Sequence, residues 1–227
     1  MLGAGGVAIT AAACGGGSKK NARATGSTTT SPSTPSTIAA PSGVKPCVLS
    51  PEMTEGPYFI SGEAVRSEIT EGHPGTPLRL ALTVVDVTTC APIPNAMIDV
   101  WHADAGGNYS GFGSMSSNRT FLRGTQVTDA GGKAGFTTIY PGWYQGRATH
   151  IHLKVHVGGN AVHTGQLFFD EATNQAVYAN APYTGHAGTR TLNSQDGIYA
   201  SGGAQSIPAL TKEGSGYVGT ITLGVKR

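Results

Sequence analysis

Residues 78–84 (Leu-Arg-Leu-Ala-Leu-Thr-Val) place Leu78, Leu80, Leu82 and Val84 on one face of an extended strand. Short apolar or alternating runs recur at 96–101, 136–140, 150–157, 164–169 and 217–223, and no stretch sustains a helical period of 3.6. Gly, Pro and Asp punctuate them. Asp129-Ala130-Gly131-Gly132, between 126–128 and 136–140, reads as a hairpin turn. Many short strands between turns predict an all-β domain, an antiparallel β-sandwich whose long loops carry function.

The pattern begins late. No acidic residue precedes Glu52 and no aromatic precedes Tyr58, so the first 45 residues offer little with which to build a core. Residues 1–14 form an apolar small-residue run ending in Ala11-Ala12-Ala13-Cys14-Gly15, similar to a partial bacterial lipoprotein signal with Cys14 as the lipidated residue; a disordered Gly/Ala leader is the alternative. Residues 15–45 are a Ser/Thr/Pro-rich tether, which leaves 46–227 as one domain, long enough for a core without metal or many disulfides. The expectation is an exported bacterial protein, extracellular or held at the cell surface by a lipid on Cys14. With Cys14 set aside, Cys47 and Cys90 remain as an even pair, expected as a disulfide; two buried thiols are the alternative.

Composition narrows the class. Fifteen Lys+Arg against 13 Asp+Glu give a formal charge of +2, which excludes a strongly basic nucleic-acid binder. Charged residues are 12% of the chain and Gly numbers 34 of 227, a balance suited to turns and strands rather than charge-paired helices. No run approaches the ~20 apolar residues of a membrane span.

Candidate chemistry concentrates in 150–157 (His-Ile-His-Leu-Lys-Val-His-Val), where odd positions are aliphatic and even ones polar. His150 and His152 stand roughly 6–7 Å apart on one strand face, close enough to converge on one metal; a polar sheet face with satisfied histidines is the plainer reading. His156 lies further along. Upstream, the loop Tyr140-Pro141-Gly142-Trp143-Tyr144-Gln145-Gly146-Arg147 brings Tyr144 and Arg147 near the pair, and a Gly-rich loop carries Tyr109. Phenolate is a hard oxygen ligand suited to ferric iron.

Together Gly142-Trp143-Tyr144, Arg147, His150-Ile151-His152 and Gly107-Asn108-Tyr109 resemble the intradiol ring-cleavage dioxygenases. The likeness extends to Thr54-Glu55-Gly56-Pro57-Tyr58, Val100-Trp101-His102-Ala103-Asp104 and Thr164-Gly165-Gln166-Leu167-Phe168-Phe169. It implies a β-sandwich with Fe(III) at one edge, held by Tyr109, Tyr144, His150 and His152. Arg147 and Gln166 would be active-site residues, and Pro57 and Tyr58 would line the substrate mouth. The implied reaction inserts both atoms of O2 between the hydroxyl-bearing carbons of a catechol-type substrate, giving a cis,cis-muconate-type diacid, with Tyr144 displaced by the diol and free to take its proton. The step from Tyr144 to His150 is six residues, shorter than in the cytosolic enzymes, so the cavity wall there differs. Tyr140 is a rival phenol, disfavoured by its place before Pro141. The alternative function is a non-catalytic exported β-sandwich, a metal-binding or adhesion module. Trp101 and Phe168 read as core and His102 as a neighbour of the site, while His186, Asn193 and Asp196 receive no role.

Overall fold

The computed structural model describes residues 47–114 and 116–227; the lipoprotein-like segment, Cys14 and the tether lie outside the described residues. Among the described residues eight strands form two four-stranded sheets. One contains β1 (Pro77–Asp86), β4 (Lys133–Ile139), β7 (Ala209–Glu213) and β8 (Gly216–Val225) in the order β4-β1-β8-β7. The other contains β2 (Met97–Trp101), β3 (Arg123–Val127), β5 (His150–Val157) and β6 (Asn160–Phe168) in the order β3-β2-β5-β6. Among the described residues no helix is long and apolar enough to cross a membrane.

The core follows from the alternation. Leu78, Leu80, Leu82 and Val84 of β1 meet Ile98 and Val100 of β2 and Ile151, Leu153 and Val155 of β5, all nearly inaccessible to water. Each such side chain contributes about 1.5–3 kcal/mol of burial. The opposite face of β5 therefore points away from the core, carrying His150, His152, Lys154 and His156. That face is covered rather than open: His150, His152 and Lys154 are all buried. Glu55 pairs with Lys154, Phe59 lies 3.9 Å beneath its ammonium, and the segment containing them crosses over the sheet.

Three sequence expectations change. β1 and β8 run parallel, Leu78 beside Tyr217 through Asp86 beside Val225, so the first sheet is mixed; alternation assigns a face but no direction. The turn at 129–132 forms, with Asp129 Oδ1 accepting from Gly131 N and Lys133 N at 2.8 Å, yet it joins no hairpin. β3 pairs with β2 and β4 pairs with β1, because Gly132 docks on β1, its carbonyl accepting from Val84 N at 2.8 Å, and carries the chain between sheets. Finally, β7 and the helix α1 (Glu171–Tyr178) carry no clear periodic signal. β7 is a mostly exposed edge. α1 buries only Asn174 and Val177 and starts at an Asp170 cap that accepts from Thr173 N at 2.8 Å.

Candidate metal centre

β5 begins at His150, where three loops converge on the outer face of its sheet. Around His150 Nε2 lie His152 Nε2 at 3.0 Å, Tyr144 Oη at 3.3 Å and Tyr109 Oη at 3.4 Å. Arg147 Nη1 points at the same nitrogen from 3.4 Å. His150 Nδ1 donates to the Ala148 carbonyl at 2.6 Å, so Nε2 holds the lone pair. Four groups thus crowd one lone pair, which cannot accept from all of them. Trp101 stacks on His152 with centroids 5.0 Å apart and planes within 4°, and His152 Nδ1 is buried without a partner.

Burial takes His150 down to about 3, helped by the Arg147 charge, and His152 well below the usual imidazole range. Burial likewise pushes the Tyr109 phenol well up, reinforced by Tyr144, and raises Tyr144 against the opposing pull of Arg147. Near neutral pH, two neutral imidazoles and two neutral phenols therefore face one another in a space dry enough to penalise any charge. The donor set fits a cation. Atoms bound to one metal at about 2.0–2.2 Å stand roughly 3 Å apart, and two phenolates would neutralise most of a ferric charge while both imidazole lone pairs found an acceptor. Among the described residues no cluster of three or more His, Cys, Asp or Glu is arranged for a metal; this set differs by combining two imidazoles with two phenols.

Each donor has a local reason for its place. His150 and His152 share a face by strand period. The two tyrosine loops lie backbone on backbone: Gly142 N donates to Asp104 O at 3.1 Å, and a Cβ on Gly142 would meet that oxygen at 2.2 Å. Gly107, at φ +84°, similarly leaves no room for a Cβ beside the Trp143 carbonyl. Arg147 is clamped, Nε donating to Asp196 Oδ2 at 3.0 Å and Nη2 to Gln166 Oε1 at 2.5 Å. Gln166 in turn donates from Nε2 to the Thr54 carbonyl at 2.8 Å, tying the strand to the overlying segment.

A family model described as dioxygenase matches residues 54–183, more than half of the chain, including all four donors. The chain is also 39% identical to an intradiol ring-cleavage dioxygenase from Tetranychus urticae, over 79% of this chain and 95% of that one, with a TM-score of 0.75. This chain belongs to the intradiol ring-cleavage dioxygenase family. It is similar as well to the dioxygenase domain of a carbohydrate-binding fusion protein from Streptomyces sp. SirexAA-E, at 29% identity and a TM-score of 0.63, covering 79% of this chain and 99% of that domain. A chlorocatechol 1,2-dioxygenase from Rhodococcus opacus is 28% identical over 142 residues, covering 54% of this chain and 55% of that protein. The chain spans about half the length of the curated relatives it matches.

In this family member, Tyr58 stacks on Tyr109 with centroids 4.2 Å apart and meets Tyr144 edge-on at 6.2 Å. Pro57, its neighbour, is exposed. Gly56 rests on the His152 ring, which a Cβ there would meet at 3.1 Å. Tyr140 is turned away, its hydroxyl donating to Asn174 Oδ1 at 2.8 Å inside the core. His102 bonds Thr138 Oγ1 at 2.7 Å and His156 bonds Asp99 at 2.9 Å, so neither joins the donors. Phe168 and Trp101 are both buried, but on the site side of their sheet rather than between the sheets: Phe168 stands opposite His150 in the register and packs with Met53 and Ala148, and Trp101 clusters with Tyr109. Cys47 and Cys90 are bonded, with sulfurs 2.07 Å apart.

Two residues escape sequence reading. Asp196 lies in a late loop with no periodicity, 49 residues from its partner Arg147. Arg123, on β3, is 1% exposed; it donates to Ser110 Oγ, Ser110 O and Tyr58 O at 2.7, 2.6 and 3.1 Å and pairs with Glu63 at 3.1 Å. One guanidinium thus joins the Tyr109 loop to the Tyr58 segment. Its only sequence signal is a charged residue beginning a strand.

Proposed function

We propose that this protein is a ferric intradiol dioxygenase that opens catechol-type rings between the two hydroxyl-bearing carbons, inserting both atoms of O2 to give a cis,cis-muconate-type diacid. The observation that carries the reading is the convergence of two phenols and the His152 imidazole within 3.0–3.4 Å of His150 Nε2. Tyr109, Tyr144, His150 and His152 would hold the iron. When bound, the ferric ion supplies Lewis acidity toward the diol oxygens and the electronic coupling that lets dioxygen reach the ring carbon.

The chain's own residues divide the remaining work. Tyr109 is buried and stacked beneath Tyr58, whereas Tyr144 is half-buried, so Tyr144, as the phenolate that iron would hold, is the one placed to yield to substrate and to accept a diol proton on Oη. Arg147, fixed by Asp196 and Gln166, directs its Nη1 charge at the donor set and offsets negative charge developing on the substrate. Loss of such a positioned donor costs roughly 2–4 kcal/mol of transition-state stabilisation. Tyr58, Phe59 and Trp101 exclude water on the side of the overlying segment. Substrate and dioxygen account for every atom of the product, so no reductant is needed. Export belongs to the same reading, since a disulfide is retained in oxidising compartments.

Metal analysis, visible absorption and oxygen uptake with catechol test the proposal together. Stoichiometric iron, a phenolate-to-iron band altered by Tyr109→Phe and by Tyr144→Phe, and a product heavier than catechol by two oxygen atoms are expected. Stoichiometric zinc, or bound iron without uptake on any of catechol, protocatechuate and hydroxyquinol, would favour the non-catalytic metal-binding module.

A further inference from the structure

Residues 141–149 carry Tyr144 and Arg147 on a loop whose two ends are buried and whose tip, Gln145 and Gly146, is exposed. Both ends meet at one hydroxyl. Tyr178, the last residue of α1, donates from Oη to the Pro141 carbonyl at 2.9 Å. With its proton committed there, the same oxygen accepts from Thr149 Oγ1 at 2.7 Å. Thr149 is 1% exposed and directly precedes His150. A single atom thus fixes the span from the start of the Tyr144 loop to the first histidine of β5.

Tyr178 is itself held from outside the loop. Arg190 lies 5.7 Å over its ring and pairs at 2.5 Å with Glu171, in the first turn of the same helix, and the Tyr183 ring packs against it at 5.4 Å. α1 is pinned in turn by its buried Asn174, which accepts from Tyr140 at 2.8 Å and donates to the Phe169 carbonyl at 3.2 Å. Burial pushes the Tyr178 phenol up, so the hydroxyl keeps its proton and serves as donor and acceptor at once. Removing it would take a partner from a buried carbonyl and from a buried hydroxyl, and a buried bond left unmade costs more than a made one contributes. Other ties on the loop differ in kind. Gly146 N donates to Thr191 Oγ1 at 3.0 Å at the exposed tip, and Asp196 holds Arg147; neither joins the loop's two ends.

We propose that Tyr178 is a positioning residue of the site: its hydroxyl closes the base of the 141–149 loop and so sets Tyr144 and Arg147 against His150, leaving the Tyr144 side chain as the part free to yield. This rests on the ring-cleavage reading of the donors. The test uses the full chain with Tyr178→Phe, and Tyr183→Phe as comparison. The Tyr183 hydroxyl likewise has two backbone partners, Tyr140 O at 2.7 Å and Thr76 N at 3.0 Å, but both precede the loop. Without metal, Tyr178→Phe is expected to speed hydrogen exchange across 141–149 about tenfold beyond any change in β1 and β8, and Tyr183→Phe is expected not to single out that loop. With iron, Tyr178→Phe should shift the phenolate-to-iron band and lower kcat on catechol about tenfold while KM changes less than about twofold. Thr149→Val should shift the band in the same direction, whereas Thr149→Ser, which keeps Oγ, should retain the wild-type band. Unchanged loop exchange and an unchanged band in Tyr178→Phe, or equal changes in Tyr183→Phe, would overturn the inference. Selective loosening of 141–149 in a protein that takes up no oxygen would uphold the tie and count against the reaction.

Discussion

Arg123 and Asp196 do at the residue scale what the four donors cannot do for themselves, which is to stay in place. Arg123 is a buried cation with one carboxylate and three oxygen partners. Glu63 meanwhile sits where burial pushes its carboxyl upward against the pull of Arg123. Replacing Arg123 by Met leaves Glu63 and the Ser110 and Tyr58 oxygens without their donor, and about 3–5 kcal/mol of stability is expected to be lost; urea unfolding measures it. Arg123→Met combined with Glu63→Gln should recover part of that loss, because no buried charge then remains unpaired. Asp196 accepts from Arg147 Nε, from Ala148 N at 2.7 Å and from Ile198 N at 2.7 Å. Asp196→Asn is therefore expected to lower kcat about 10–100-fold with a smaller change in KM, since Arg147 loses alignment in the transition state rather than a ground-state contact. An equal rise in KM with unchanged kcat would contradict that role.

Loops and strands divide the site between what a short stretch of chain encodes and what contact decides. The β5 histidines are legible from the period of a strand, and the tyrosine loops from their glycines and the family resemblance. What the loops touch is not legible: Gly142 looks like any turn glycine until its Cα is seen against the Asp104 carbonyl. Gly142→Ala should cost about 2–4 kcal/mol and separate the Tyr109 and Tyr144 loops, while Gly185→Ala, with open space around it, should stay within about 0.5 kcal/mol. Thermal or urea melts of the two variants make the comparison. The turn at 129–132 illustrates the same boundary. Its residues specify a turn, but whether the two flanking strands pair or part depends on β1, which offers Val84 to Gly132.

For the molecule as a whole, the first and last described segments are drawn together. Leu49 bridges Gly224, β1 lies parallel to β8, and the Cys47–Cys90 bond spans a sequence separation of 43. Closing a loop of that length restricts the unfolded chain by about 4 kcal/mol in the chain-entropy model. Cys47→Ser with Cys90→Ser is expected to lower Tm by roughly 5–15 °C while leaving the metal-to-protein ratio unchanged, since the donors lie on other elements. Loss of metal with intact secondary structure would show the bond to be coupled to the centre.

The all-β class, the core faces of the strands and the four candidate ligands could be read from one dimension, because a two-residue period and a His-x-His or Gly-Trp-Tyr spacing act over a few bonds of chain. Strand direction, the crossing at 129–132, the covering of the β5 polar face by 54–59, and the holds of Asp196 and Arg123 belong to three dimensions. They arise from contacts such as Arg147 to Asp196, 49 residues apart, and Arg123 to the Tyr58 carbonyl, 65 apart. No local period records such a meeting, since it exists only after the loops and the overlying segment have closed on the outer face of the sheet.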